Sequence, residues 1–177
     1  MEMEIREPML SDKEQVIKYI QNHYACKEKS LSGSDGLTSM PYEEWLVKIQ
    51  KNAMNHDDDW GRYFTFFAFD NEELIGILSV RPEMKGSPLQ AYGHIGYGVK
   101  PSARRKGYAT KMLKYAIEKC KEFGLQKILI GCHKENVGSA KTIQNCGGVL
   151  VREEDSLMKI NEYYTINLIN QFYEINI

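Results

Sequence analysis

The chain has no Cys-x-x-Cys pair, no internal repeat, no low-complexity tract and no apolar run near the ~20 residues of a membrane span. Each absence removes a class. The four cysteines, Cys26, Cys120, Cys132 and Cys146, are scattered, so reduced thiols are expected rather than a disulfide frame. Cys132-His133 and His23-x-x-Cys26 lack a partner pair at zinc spacing, and His56-Asp57-Asp58-Asp59 lacks the glycine and spaced carboxylates of a calcium loop. No metal is expected. Charge of one sign is missing too: 23 Lys and Arg against 24 Asp and Glu leave a net charge of −1. That balance gives no bulk attraction to nucleic acid or to an anionic membrane, so neither is expected as a partner. Met-Glu-Met-Glu-Ile-Arg has neither the basic start nor the apolar core of a secretory signal, and a cytoplasmic location is expected.

What is present reads as mixed α/β. With 177 residues, 42% hydrophobic and 27% charged, the chain is expected to form one compact domain over 1–177. A short strand is expected over 4–7. Ser11-Asp12-Lys13-Glu14 reads as a capping box with Ser11 as N-cap, and Val16, Ile17, Ile20 and Tyr24 follow at helical spacing. Residues 29–38 have loop composition; Pro41 then starts a second helix bearing Trp45, Leu46, Ile49 and Met54, followed by an acidic loop over 55–60. Strands over 63–69 and 74–80 meet at a hairpin turn, Asp70-Asn71-Glu72, with a third strand over 92–99 beside them. A helix over 111–123 carries Met112, Leu113, Ala116, Ile117 and Cys120 on one face and ends at Gly124. Residues 126–132 are a continuous apolar strand of the buried parallel kind. A short helix over 136–145 stops at Gly147-Gly148, and strands over 149–152 and 163–169 finish the chain. The apolar stretch 168–175 is a candidate sheet edge for pairing in a homodimer.

One run carries most of the chemistry: Val99-Lys-Pro-Ser-Ala-Arg-Arg-Lys-Gly-Tyr-Ala-Thr110. It leads from a strand through Pro101 into a basic, glycine-containing turn that opens onto a helix. A helix N-terminus offers unpaired N–H groups and the positive end of the macrodipole, an anion site. Gly107 lets the backbone come close to a ligand, and Arg104, Arg105 and Lys106 add charge. This chemistry fits a pyrophosphate held by backbone amides; the plainer reading is an exposed basic turn capping a surface helix.

Arg104-Arg105-Lys106-Gly107-Tyr108-Ala109 resembles the (Gln/Arg)-x-x-Gly-x-(Gly/Ala) acyl-CoA loop of the GNAT superfamily of N-acetyltransferases, in the family's setting between a strand ending Val-x-Pro and a helix. Asn136-x-x-Ser139, ending in Gly147-Gly148, resembles the family's Asn-x-x-(Ala/Ser) helix start. The element order matches from about Ile5 to Leu168, most strongly from His94 to Gly148. The resemblance implies a centrally splayed mixed sheet of about seven strands flanked by about four helices. It implies acetyl-CoA as co-substrate without a metal. It also implies acetyl transfer to a primary amine, on a small molecule or peptide, by direct attack in a ternary complex. Val99, Arg104, Arg105, Lys106, Gly107, Tyr108, Ala109 and Thr110 would hold the cofactor, with Asn136 and Ser139 along its pantetheine arm. Asn136 is equally a good helix cap. One position departs: many members place a tyrosine seven residues after that Asn to protonate the leaving CoA thiolate, and here it is Ile143. Tyr108, Tyr163 and Tyr164 are not obvious substitutes, which leaves another group or solvent.

Forming an amide from a thioester requires an acceptor for the amine's proton and a donor that polarises the thioester oxygen. In His94-Ile-Gly-Tyr-Gly-Val99, Gly96 and Gly98 suit a bulge or a close ligand approach. Gly93-x-x-Gly96-x-Gly98 opens no helix and is not a dinucleotide loop. His94 is the candidate base or a structural strand histidine, and Tyr97 orients the acceptor or faces the core. Cys132 or Cys146 as acyl carrier stands against the usual inertness of buried cysteine. Glu72, Glu73 and Glu83 read as solvated hairpin-end charges. An acceptor pocket is expected from 31–38, 60–64 and Tyr163-Tyr164, with Trp60 and Tyr63 as apolar walls. Asp57 to Asp59 either draw in a cationic amine or are exposed loop acids. A catalytically silent acyl-CoA-binding module is the alternative that Ile143 favours; an RNA binder is weakened by the neutral balance. The acceptor is left open among amino acid, polyamine, antibiotic, peptide N-terminus and protein lysine.

Overall fold

A computed structural model describes residues 3–56, 58–159 and 163–177. Its strands are β1 Glu4–Arg6, β2 Phe64–Asp70, β3 Glu73–Val80, β4 Ile95–Val99, β5 Lys127–His133, β6 Val149–Lys159 and β7 Thr165–Asn176. Among the described residues the α-helices are α1 Lys13–Ala25, α2 Tyr42–Asn52, α3 Gly86–Tyr92, α4 Tyr108–Glu122 and α5 Val137–Asn145.

The strands form two sheets, β1-β2-β3-β4 and β5-β7-β6. Among the described residues one isolated bridge, Gly93 with Ile130, joins them, and they part beyond it. This is the central splay that the resemblance implied, with seven strands and five helices among the described residues. The apolar strand β5 is not in a parallel ladder: it pairs antiparallel with β7, Ile130 opposite Tyr173, and turns its other edge toward β4. Nor is 168–175 a free edge, because β7 lies between β5 and β6.

The β2–β3 hairpin is buried on both faces, so its strands read as apolar runs rather than alternating ones. Phe67, Phe69, Leu74 and Ile77 pack with Tyr19 of α1 and Trp45 of α2. Phe66, Ile75 and Leu78 pack with Met112 and Leu113 of α4. Fully burying one such side chain is worth about 1.5–3 kcal/mol, and this double layer fixes α4 beneath the sheet. The turn residues Asn71 and Glu72 have φ of 48° and 65°, the left-handed pair that matches strand twist in a two-residue hairpin.

Several local expectations are corrected. Asp12, not Ser11, stands at the N-cap of α1. The Asp12 carboxylate is buried and accepts from the Met9 N–H at 2.8 Å and from both arms of Arg6 at 2.7 and 2.8 Å. The buried face of α1 is Val16, Tyr19 and His23; Ile17 and Tyr24 are exposed, as is Met54 beyond α2. Helix α3 was not expected and meets the expected strand 92–99 only at Tyr92, since β4 begins at Ile95; the helix buries no residue, so no apolar period marks it. Strands β6 and β7 extend well past 149–152 and 163–169.

Candidate active site

Strand β4 ends at Val99, and a 3-10 turn, Pro101–Ala103, leads to the basic loop. Arg105 and Gly107 both have positive φ, 62° and 82°, and Gly107 is the N-cap of α4 with no capping side chain. A Cβ on Gly107 would meet no protein atom within 4 Å. The first intrahelical bond runs from the Lys111 N–H to the Gly107 carbonyl at 3.2 Å. The N–H groups of Tyr108, Ala109 and Thr110 therefore precede the ladder, and α4 starts earlier than the expected residue 111.

The three cations of the loop differ. Arg104 is engaged: its Nε donates to the Val99 carbonyl at 3.0 Å, and its two arms hold both Glu28 oxygens at 2.6 and 2.7 Å. Glu28 also meets His23 Nδ1 at 2.9 Å. The Arg104 guanidinium draws the Glu28 carboxyl below its ordinary range, against the effect of burial. Arg105 and Lys106 are exposed. The Tyr108 hydroxyl donates to Asp70, which ties α4 to the β2–β3 turn and leaves Tyr108's backbone at the helix mouth. Glu28 escaped the sequence reading, since nothing local marks a residue 76 positions from its partner.

Two bonds to the β3 side fix the alternation of β4: Arg81 N–H to the His94 carbonyl at 2.8 Å and Lys100 N–H to the Ile75 carbonyl at 2.9 Å. By that alternation the backbone groups of Ile95, Tyr97 and Val99 face away from β3, toward the opening. Across it stands α5, capped by Asn136, whose side chain accepts from the Ser139 N–H at 3.1 Å. The Tyr97 hydroxyl and Ser139 Oγ are 3.0 Å apart, so the structure brings together three of the expected residues. Burial pushes the Tyr97 phenol up to about 12. Ile143 is wholly buried in the core of α5. Cys132 and Cys146 are partly buried, and burial raises both thiols.

His94 is placed differently from a free base. Its own N–H donates to the Leu129 carbonyl at 2.7 Å, and its ring Nδ1 accepts the Leu129 N–H at 2.9 Å. A neutral ring so engaged carries its proton on Nε2 and has no lone pair left for an amine. Burial, aided by the Arg81 charge, lowers its pKa to about 4.

Beside Tyr97 lies a cleft of about 510 Å³ that reaches Asn136 and Ser139 at one end. Trp60 and Tyr63 line it as expected; Tyr163 and Tyr164 are exposed outside it. Asp35 lines it from the expected loop 31–38; Arg81 and Tyr92 also line it, and neither had been expected there. Asp58 braces its own loop, accepting from Asn55 and from the Trp60 N–H at 2.9 Å each. Asp57 lies outside the described residues. Two of the expected solvated charges are paired: Glu83 takes Arg62 Nε on both oxygens at 3.0 Å, and Glu73 takes Lys100. Among the described residues, no three His, Cys, Asp or Glu side chains cluster as metal ligands, and no helix is long and apolar enough to cross a membrane.

A family model, acetyltransferase (GNAT) family, matches residues 34–147. A Bacillus subtilis (strain 168) protein described as the uncharacterized N-acetyltransferase YjdG is 30% identical over 142 residues, 73% of this chain and 77% of that protein. An N-acetyltransferase structure from Staphylococcus aureus Mu50 superposes with a TM-score of 0.71 at 19% identity, covering 99% of each chain. The structure of yncA, a putative acetyltransferase from Salmonella typhimurium with acetyl-CoA, superposes with a TM-score of 0.69 at 16% identity, covering 98% of this chain and 93% of that one. The splayed sheet, the open helix mouth after β4 and these matches agree: the chain belongs to the GNAT acetyltransferase family and is an acyltransferase enzyme.

Proposed function

We propose that the chain acts as one domain over 1–177 and moves the acetyl group of acetyl-CoA to a primary amine by direct attack in a ternary complex. The observation that carries this is a continuous main-chain surface: the bare N-terminus of α4 opens where β4 ends, and the unpaired side of β4 runs on from it to Tyr97. The acetyl-CoA in the Salmonella structure supports the choice of donor.

In this reading the amides of Gly107, Tyr108, Ala109 and Thr110 receive the pyrophosphate, with Arg105 and Lys106 adding charge. Arg104 shapes the loop through Val99 and Glu28. The β4 groups at Tyr97 and Val99 hold the pantetheine arm, with Asn136 and Ser139 opposite. The amine nitrogen attacks the thioester carbon, the C–N bond forms, the C–S bond breaks and the electron pair leaves on sulfur. Tyr97, protonated well above neutral pH, is the group we assign to protonate that thiolate, in place of the tyrosine that Ile143 lacks. His94 ties β4 to β5 at the closed end of the opening, and the amine's proton leaves through water.

The test is release of free CoA thiol from acetyl-CoA across an amine panel, with the amide product identified by mass. Amine-dependent release is expected, and Tyr97→Phe should lower kcat roughly 10²-fold with the acetyl-CoA KM little changed. CoA binding without turnover for every amine would leave a silent module; an undiminished Tyr97→Phe kcat would remove Tyr97 from the chemistry.

A further inference from the structure

Arg81 follows directly on β3 and enters the cleft, where its surroundings do not satisfy it. Its Nε is buried without a hydrogen-bond partner. Among the described residues no carboxylate pairs with its guanidinium. The acid that shares the cleft, Asp35, is already used: its Oδ1 takes Lys48 at 3.1 Å and the Tyr63 hydroxyl at 3.0 Å, and its Oδ2 takes Asn52 at 2.6 Å. Withdrawing a cation from water is costly unless a partner compensates, and here burial lowers the Arg81 pKa despite the nearby acid.

The space around the guanidinium is shaped as well as unfilled by side chains. Its terminal nitrogen would stand 3.1 Å from a Cβ on Gly96, so the missing side chain there keeps the fork uncovered. Trp60 packs against Tyr63 and Tyr92, with ring centroids 6.5 and 5.4 Å apart, and supplies an apolar wall. Gly96 adjoins Tyr97 along β4, and Arg81 and Tyr97 line the same cleft, so a group held by Arg81 shares that cleft with the proposed chemistry.

Resting on the acetyltransferase reading above, we propose that Arg81 anchors the carboxylate of the acceptor, and that the acceptor is a free amino acid rather than a polyamine or simple cationic amine. A guanidinium presents parallel N–H donors that match the two oxygens of a carboxylate, and the burial of Arg81 strengthens that pair. A free amino acid carries amine and carboxylate on one carbon, whereas a peptide separates them by at least one further residue.

The experiment compares matched acceptors with acetyl-CoA: L-amino acids, their carboxamides, their decarboxylated amines and dipeptides. The free amino acid is expected to have the higher kcat/KM by at least tenfold. Arg81→Met should raise its KM by a similar factor and erase the preference, while the Kd for acetyl-CoA stays unchanged by calorimetry; Arg81→Lys should keep part of the preference. Equal or better use of the decarboxylated amine by the wild-type protein overturns the proposal, as does an equal loss for every acceptor in Arg81→Met. Dipeptides matching the free amino acids would overturn the choice of free acid. Failure of the transfer reading looks different: no acceptor releases CoA. Amino acid binding to the CoA-loaded protein by calorimetry then still decides the site, since it must be stronger than that of the decarboxylated amine and weaken in Arg81→Met.

Discussion

Two loops meet β4 from different sides, and each places a glycine in the same unusual conformation. Gly33, in the loop before α2, has φ of 74°, and Gly107, at the mouth of α4, has φ of 82°. A Cβ at Gly33 would lie 2.7 Å from the Gly96 carbonyl oxygen and 2.9 Å from Tyr97 Cα, whereas one at Gly107 would touch nothing of the protein. Left-handed backbone accounts for both residues. Their neighbours separate them: Gly33 lets the chain pack on itself, and Gly107 leaves a helix mouth approachable from outside.

The sharpest way to break this contrast is Gly33→Ala. It must push the loop off β4 as well as strain the backbone, and a loss of about 3 kcal/mol is expected from overpacking and left-handed strain together. Urea unfolding measures it, and a loss under about 1 kcal/mol would mean that the loop simply yields.

The tether between the sheets comes next. With its pKa lowered to about 4, His94 binds its proton later in the folded chain than in the unfolded one, where the value is 6.5. Its contribution is therefore complete above about pH 6.5 and is lost as pH falls through 4, by at most about 1.4 kcal/mol per unit in between. His23, held down mainly by burial, adds to the slope with the same sign. A flatter stability–pH curve in His94→Gln is the expected result; identical slopes would show that the ring is not coupled to folding.

Gly107→Val should reverse the pattern of Gly33→Ala. Strain alone costs about 1 kcal/mol of stability, while CoA affinity falls at least tenfold, about 1.4 kcal/mol. A folded variant with unchanged CoA affinity would erase the distinction between the two glycines. Smallest is Lys106→Ala, for which a two- to threefold loss of CoA affinity (roughly the scale of one exposed charge) should vanish near 1 M salt. Arg104→Ala should instead lose affinity that salt does not restore, because Glu28 and the Val99 carbonyl both lose their donor.

The basic turn at the mouth of α4 was legible in the sequence because its features crowd together: Pro101, Gly107 and the face of α4 all lie within one short segment. Asn136 and Ser139 were legible for the same reason, as a cap and its partner three residues apart. The cleft was legible only in part: the loop 31–38, Trp60 and Tyr63 were expected, but Arg81 and Tyr92 come from separate segments and no spacing links them to it. His94 showed its residue type but not its contact with Leu129, a neighbour only in space. Strand β6 was cut short because Arg152-Glu153-Glu154-Asp155 looks like loop, although a strand exposed to water tolerates such a run.

The split between the sheets also bears on which strand edges lie open to a foreign strand. A sheet invites foreign strands along its outer rows of unpaired amides and carbonyls, and two sheets present four such rows. Here β1 is only three residues long, and β6 carries a charged run along its middle. The other two rows, on β4 and β5, face one another across the opening, so the polar backbone that would otherwise recruit a neighbour is turned inward. The gap thus shelters two adhesive rims from the crowd outside.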